Sequence, residues 1–206
     1  MARTGACLRR RAGQRKPLPA LLYFTDPIRT PYPEAIAARL PKGSAIVYRG
    51  FGAPDAQGTA LRLKAIARRR GLTLLIGADE ALAARVGADG VHLPERLASR
   101  AARIRSKHPD WLITAAAHSS RAARARVDAV VVSAIFPSAS PSAGKPLGPL
   151  RLAQIVRLAR SPVYALGGIN HTTAARLLAT GAVGIAGVEV FLSSPLAKRK
   201  GEGDSA

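Results

Sequence analysis

The residues of this 206-residue chain best suited to chemistry stand where apolar runs break off. Val163–Leu166 leads into Gly167-Gly168-Ile169-Asn170, and Thr172 opens a helical stretch. Paired glycines let backbone N–H groups approach an anion, and a helix start adds partial positive charge. A tight turn with no ligand is the plainer reading of the same pair. A second run closes on Gly187 and Val188. His118 follows Leu112–Ala116, and an imidazole there could give and take a proton at neutral pH, the alternative being a structural histidine. Residues 135–148 form a Ser/Pro/Gly loop in which the hydroxyls of Ser138 and Ser140 and the cation of Lys145 could close over a ligand, unless the loop is simply solvated. Asp26 suits a second acid/base group or a helix cap. His92 reads as interior packing, and His108 and His171 as surface positions.

Positioning these groups requires regular elements. Eight apolar, largely β-branched or aliphatic runs recur: Leu21–Thr25, Ala45–Arg49, Thr73–Ile76, Gly90–Leu93, Leu112–Ala116, Ala129–Ala134, Val163–Leu166 and Gly184–Val188. They do not alternate with polar residues, as expected of parallel strands covered on both faces. Amphipathic stretches such as Asp55–Arg70, Glu95–Lys107, Pro149–Arg160 and Thr172–Thr180 lie between them. The phrases Val86-Gly87-Ala88-Asp89-Gly90-Val91 and Thr180-Gly181-Ala182-Val183-Gly184-Ile185 each read as helix end, glycine turn and strand start. The expected fold class is α/β, a single compact (β/α)8 TIM barrel, with a doubly wound open sheet as the alternative. In such a barrel the site lies at the C-terminal strand ends, and the loops after strands seven and eight commonly hold a phosphate. Gly167, Gly168, Gly187 and Val188 are therefore the expected phosphate-binding residues.

Composition narrows the function classes. The chain is 48% hydrophobic with one cysteine, Cys7, which excludes an internal disulfide framework and a cysteine-rich zinc site. No apolar run approaches the ~18 residues of a membrane span, so no membrane partner is expected. The net charge of +20 suits small anions, but aromatics are only 4% and do not interleave with the basic runs, which argues against nucleic acid. Residues 1–20 carry six basic and no acidic side chains and read as a disordered leader, 21–192 as the barrel, and 193–206 as a charged flexible tail. Without a signal-peptide pattern the expected location is cytoplasmic. Homo-oligomerisation is left open.

The motifs Gly87-Ala88-Asp89-Gly90-Val91-His92-Leu93, Ala117-His118-Ser119, Ile135-Phe136-Pro137-Ser138-Ala139-Ser140 and Ala165-Leu166-Gly167-Gly168-Ile169 occur in the order and spacing of one family. Over residues 21–192 the chain resembles the thiamine phosphate synthase superfamily, which includes the TenI-like thiazole tautomerases. The resemblance implies a (β/α)8 barrel acting in thiamine biosynthesis. Family synthases join a pyrimidine diphosphate to thiazole phosphate and use Mg2+ to carry away diphosphate. The resemblance also implies substrate-binding roles for Arg49, Ser138 and Ser140.

Departures from the synthase pattern cluster. The family lysine two residues beyond Arg49 is Phe51 here, and the Asn-Asp pair after strand three is Gly77-Ala78. Gly-Gln-Glu-Asp after strand four is Pro94-Glu95-Arg96-Leu97, the serine two residues before His118 is Ala116, and the lysine of the strand-six loop is Pro141. A family serine after strand eight is Glu189. Magnesium needs hard oxygen ligands, which Ala78 and Leu97 do not supply. In the tautomerases the matching histidine moves the proton. The favoured expectation is thus a metal-independent, cofactor-free thiazole tautomerase with His118 as general acid/base and a phosphorylated thiazole as its small-molecule partner. The alternatives are a Mg2+-dependent thiamine phosphate synthase with a rebuilt metal site, to which Asp79 or Glu95 could contribute, and a non-catalytic binder of the phosphorylated ligand.

Overall fold

The computed structural model describes residues 17–138 and 144–188. Its strands are β1 (Leu21–Phe24), β2 (Ala45–Tyr48), β3 (Thr73–Gly77), β4 (Gly90–Leu93), β5 (Leu112–Ala117), β6 (Ala129–Val132), β7 (Val163–Leu166) and β8 (Gly184–Gly187). They pair in chain order, all parallel, and β8 returns to β1 with Leu21 opposite Ile185 and Tyr23 opposite Gly187. The sheet is a closed (β/α)8 barrel with no free edge, so the doubly wound alternative falls. Each strand matches one of the eight apolar runs.

Alternation along the strands sorts the core into layers. Leu22, Phe24, Ala45, Val47, Leu75, Leu112, Ala129, Val131, Tyr164 and Ala186 fill the barrel interior. Their neighbours face the surrounding helices, Tyr23, Ile46, Leu74, Ile76 and Val91 on one side and Val130, Val132, Val163 and Ile185 on the other. Both faces of every strand are thus covered, which is why the runs carry no polar alternation.

The helices are α1 (Pro33–Ala37), α2 (Ala56–Arg70), α3 (Glu80–Arg85), α4 (Ala101–Lys107) and α5 (Gly148–Leu158). In α2 the buried residues Ala60, Leu63, Ile66 and Ala67 make one stripe, and Arg68, Arg69 and Arg70 place cations at its negative end. The expected helix Glu95–Lys107 is divided. Glu95–Arg100 buries no residue and stays a 3-10 helix, and α4 begins where Ala101 and Ile104 supply an apolar stripe. Ala174–Thr180 is also 3-10 rather than α. The short α1 and α3 escaped the sequence reading because five or six residues cannot display a helical period. No helix among the described residues is long and apolar enough to cross a membrane.

The barrel starts earlier than expected. Leu18 is 3% exposed and packs in the interior cluster, and the Tyr164 hydroxyl donates to the Pro19 carbonyl. The boundary set at residue 20 for a disordered leader is therefore too late. Residues 1–16 and the expected tail lie outside the described residues. Leu18→Ala should destabilise the protein by about 2–5 kcal/mol, as read by urea unfolding. An unchanged midpoint would remove Leu18 from the core.

His92 is buried in the interior as expected, with Nδ1 2.9 Å from Thr114 Oγ1 and its ring edge-on to Phe24. Burial, and secondarily the Arg49 charge, push its pKa from 6.5 down to about 3. Between these values the unfolded chain binds a proton that the folded chain refuses, so stability is complete above about 6.5 and declines as pH falls. His92→Asn keeps a hydrogen-bonding side chain but does not titrate. The stability difference between wild type and this variant should shrink by about 1.4 kcal/mol per unit from pH 6.5 to pH 4.5. A difference independent of pH would show that His92 titrates alike in both states.

Candidate functional site

At the ends of β1 and β2 a half-buried network fixes one cation. Arg49 Nε donates to Thr25 O at 2.7 Å, and its Nη2 reaches Asp26 Oδ2 at 3.3 Å. Thr25 Oγ1 accepts from the Arg49 N–H at 2.9 Å. Asp26 is not a free acid/base group. Its Oδ1 accepts from the N–H groups of Ile28 and Arg29, and its Oδ2 also pairs with Arg29 Nη2. Burial alone would raise the Asp26 carboxyl, but the hydrogen bonds from Arg29 and Ile28 overbalance it and hold it below its ordinary value. Burial pulls Arg49 down while Asp26 opposes that pull, and the guanidinium stays charged. Gly77 makes room for this arrangement, since a Cβ there would stand 3.2 Å from Arg49 Cγ and 3.2 Å from Tyr48 O.

At the ends of β4 and β5 the geometry pairs two residues. His118 is exposed, and its N–H and Nδ1 both lie against Glu95 Oε2, at 2.8 and 2.9 Å. With the Nδ1 proton directed at the carboxylate, Nε2 is left as the proton acceptor. His118 stands just past the end of β5, as its sequence context predicts, and Glu95, expected only as a metal ligand, pairs with it instead. The available signal was an acidic residue at a strand end in a basic chain. His118 and Arg49 stand at the ends of β5 and β2, and no hydrogen bond or ion pair joins them among the described residues.

The donor set does not fit the Mg2+ that the family resemblance implies. Asp79 Oδ1 caps α3 by accepting from the Leu82 N–H at 2.8 Å. Glu95 is engaged by His118, and Ala78 offers no ligating side chain. Among the described residues no three His, Cys, Asp or Glu side chains gather as a metal site.

At the ends of β6, β7 and β8 the glycine pair has a structural duty. Gly168 has φ +64, and a Cβ there would lie 2.3 Å from Pro137 O. Phe136 N–H donates to Gly167 O, and Thr173 Oγ1 to Gly168 O, so the turn ties β7 to the chain leaving β6. The N–H groups of Gly167 and Gly168 donate to no described backbone acceptor, which leaves them as candidate anion donors. The helix start expected to add positive charge at this turn does not form. The segment from Ala174 is a seven-residue 3-10 helix, and Asn170 Oδ1 already accepts from the Thr172 and Thr173 N–H groups at 2.9 and 3.0 Å. Gly187 is buried inside β8 and Val188 packs against the barrel interior, so only their backbone could meet a ligand. Ser138 is half-buried where the loop leaves β6, Lys145 is exposed where it returns, and Ser140 lies outside the described residues. Gly168→Ala should cost about 1–3 kcal/mol in thermal or urea unfolding, because the added methyl meets backbone oxygen and the left-handed backbone penalises it. A neutral result would mean that the turn relaxes freely.

Comparison with known proteins bears on this barrel as a whole. A family model described as thiamine monophosphate synthase matches residues 22–191. The thiamine biosynthesis bifunctional protein ThiM/ThiE of Symbiobacterium thermophilum is 36% identical over 66% of this chain, which spans only 29% of that longer protein. The thiamine-phosphate synthase of Thiobacillus denitrificans is 35% identical over 76% of this chain and 77% of its own length. Among solved structures, the thiamine phosphate pyrophosphorylase of Pyrococcus furiosus superposes with a TM-score of 0.70, covering 85% of this chain and 88% of that one at 24% identity, a likeness that speaks for the fold. With the family match running from β1 past the end of β8, the chain belongs to the thiamine monophosphate synthase family.

Proposed function

We propose that this barrel binds thiazole phosphate at its C-terminal mouth and couples it to an activated pyrimidine to make thiamine phosphate. The observation that carries this reading is the likeness over most of both chains to relatives named thiamine-phosphate synthase, such as that of Thiobacillus denitrificans. Their names support the synthase alternative better than the tautomerase favoured by the sequence. In the coupling, the thiazole nitrogen lone pair forms a bond to the pyrimidine methylene carbon, and the bond from that carbon to the diphosphate oxygen breaks. Diphosphate leaves with the bonding electrons, and the thiazole ring becomes cationic.

The chain's own groups serve binding and orientation. The fixed Arg49 guanidinium offers charge to an anionic substrate, and the Gly167 and Gly168 N–H groups suit the phosphate of the thiazole. Ser138, Ser140 and Lys145 belong to the loop that would cover the pair. A half-buried cation already held by Thr25 and Asp26 loses little side-chain freedom when the anion arrives.

A second reading, thiazole tautomerisation, is favoured by one contact. The Glu95–His118 pair presents an oriented imidazole able to move a proton without a metal. The discriminating experiment supplies both substrates with Mg2+ or with EDTA and separately follows deuterium exchange on thiazole carboxylate phosphate. Formation of thiamine phosphate from the two substrates is the expected result, and the Mg2+ and EDTA arms report whether coupling draws on a metal that the described carboxylates do not gather to hold. Exchange without coupling, unaffected by EDTA and lowered ~10²-fold or more by His118→Asn, would establish the second reading instead. Tight binding of thiazole phosphate with neither reaction would make the protein a binder.

A further inference from the structure

The turn after β2 holds a residue that the fold itself does not ask for. Ala53 N–H donates to Gly50 O at 2.8 Å, closing a turn whose central residues are Phe51 and Gly52. Both have positive φ, +46 for Phe51 and +77 for Gly52. Such a turn favours Asn, Asp or Gly at its first central position, and a bulky aromatic there is a backbone outlier. Phe51 is also 70% exposed, so burial of its ring does not compensate for the strain. A strained, exposed aromatic at the mouth of a barrel points toward a ligand rather than toward packing.

One face of that ring is occupied. The Arg49 guanidinium carbon lies 5.2 Å from the Phe51 ring centre and 5.7 Å from that of Phe24. Thr25 and Asp26 hold the guanidinium from the side, and Gly77 leaves the space in which its stem runs. Phe51 and Arg49 therefore form a fixed unit, and the exposure of Phe51 leaves ring surface open to solvent. A cation on one face draws π density toward it, so the open surface takes a neutral planar ring better than a cationic one.

We propose that Phe51 is a specificity-determining platform at the substrate site, on which a neutral planar nitrogen heterocycle of the substrate pair stacks while Arg49 backs the ring. This rests on the reading of the barrel mouth as the substrate site. It adds a discrimination that reading does not contain. The uncharged ring is retained, and where that ring is the thiazole, the cation that coupling creates in it is disfavoured beside Arg49 and leaves more readily.

The test is calorimetric titration of the wild-type protein and of Phe51→Ala, Phe51→Tyr and Phe51→Leu with thiazole phosphate, with the aminopyrimidine alcohol and with inorganic phosphate. Melting temperatures are recorded in parallel. The alanine variant should bind one of the two heterocycles about 10-fold more weakly, and the ligand affected identifies which ring occupies the platform. Tyrosine should restore binding and leucine should not, inorganic phosphate affinity should be unchanged, and the melting temperature of Phe51→Ala should not fall. Unchanged affinity of Phe51→Ala for both heterocycles overturns the platform, as does full rescue by leucine, which would show that bulk alone matters. An equal loss of inorganic phosphate affinity also overturns it, since Phe51 would then act only by holding Arg49. If the wild-type protein binds neither heterocycle, the reading of the mouth as the substrate site fails first, and the platform with it.

Discussion

β8 hydrogen-bonds to β1 through the pairs Leu21–Ile185, Leu22–Ala186 and Tyr23–Gly187, and this closure governs where every other group can stand. In a closed parallel barrel all strands end at the same rim, so residues remote in sequence share one small surface. Asp26 and Arg49 meet there from β1 and β2, and Glu95 and His118 from β4 and β5. Closure also divides each strand's side chains between interior and helix layers. A one-residue slip would move Phe24, Val47 and His92 out of the interior and carry the mouth residues with them.

Charge at the rim is managed by pairing. The chain has 32 Lys and Arg against 12 Asp and Glu, so each carboxylate near the mouth counts. Asp26 neutralises part of Arg29 and Arg49 and locks the latter in place. Asp79 is spent on capping α3, and Glu95 on orienting His118. Those commitments explain together why the rim offers a fixed cation and an oriented imidazole while the described carboxylates do not gather around a common point.

The glycine pair after β7 illustrates one sequence feature serving two ends. Gly168 must lack a side chain because Pro137 O sits against it, and the same bare backbone leaves N–H groups accessible to an anion. Packing alone accounts for the glycines. Their place at the rim, next to the buried end of β8, is what makes them relevant to a phosphate.

The sequence by itself determined the architecture and which polar residues stand at the strand ends. Unbroken apolar runs separated by amphipathic stretches are a direct imprint of strands buried on both faces, and each became a strand of the barrel. His92 was legible as an interior residue and His118 as a strand-end residue, because local pattern reports burial and position. The first turns of structure were less legible. Leu18 and Pro19 adjoin a basic segment, and only packing against the barrel end reveals their role. What tertiary structure alone decided is which polar groups meet. Glu95 and His118 are 23 residues apart, and Asp26 and Arg49 the same, separations at which no periodicity links one side chain to another. The left-handed backbone of Phe51 and its stacking over Arg49 are likewise invisible in a one-dimensional pattern. These contacts exist because the ring of strands brings distant chain ends to one rim, and a linear sequence carries burial locally but pairing only through closure.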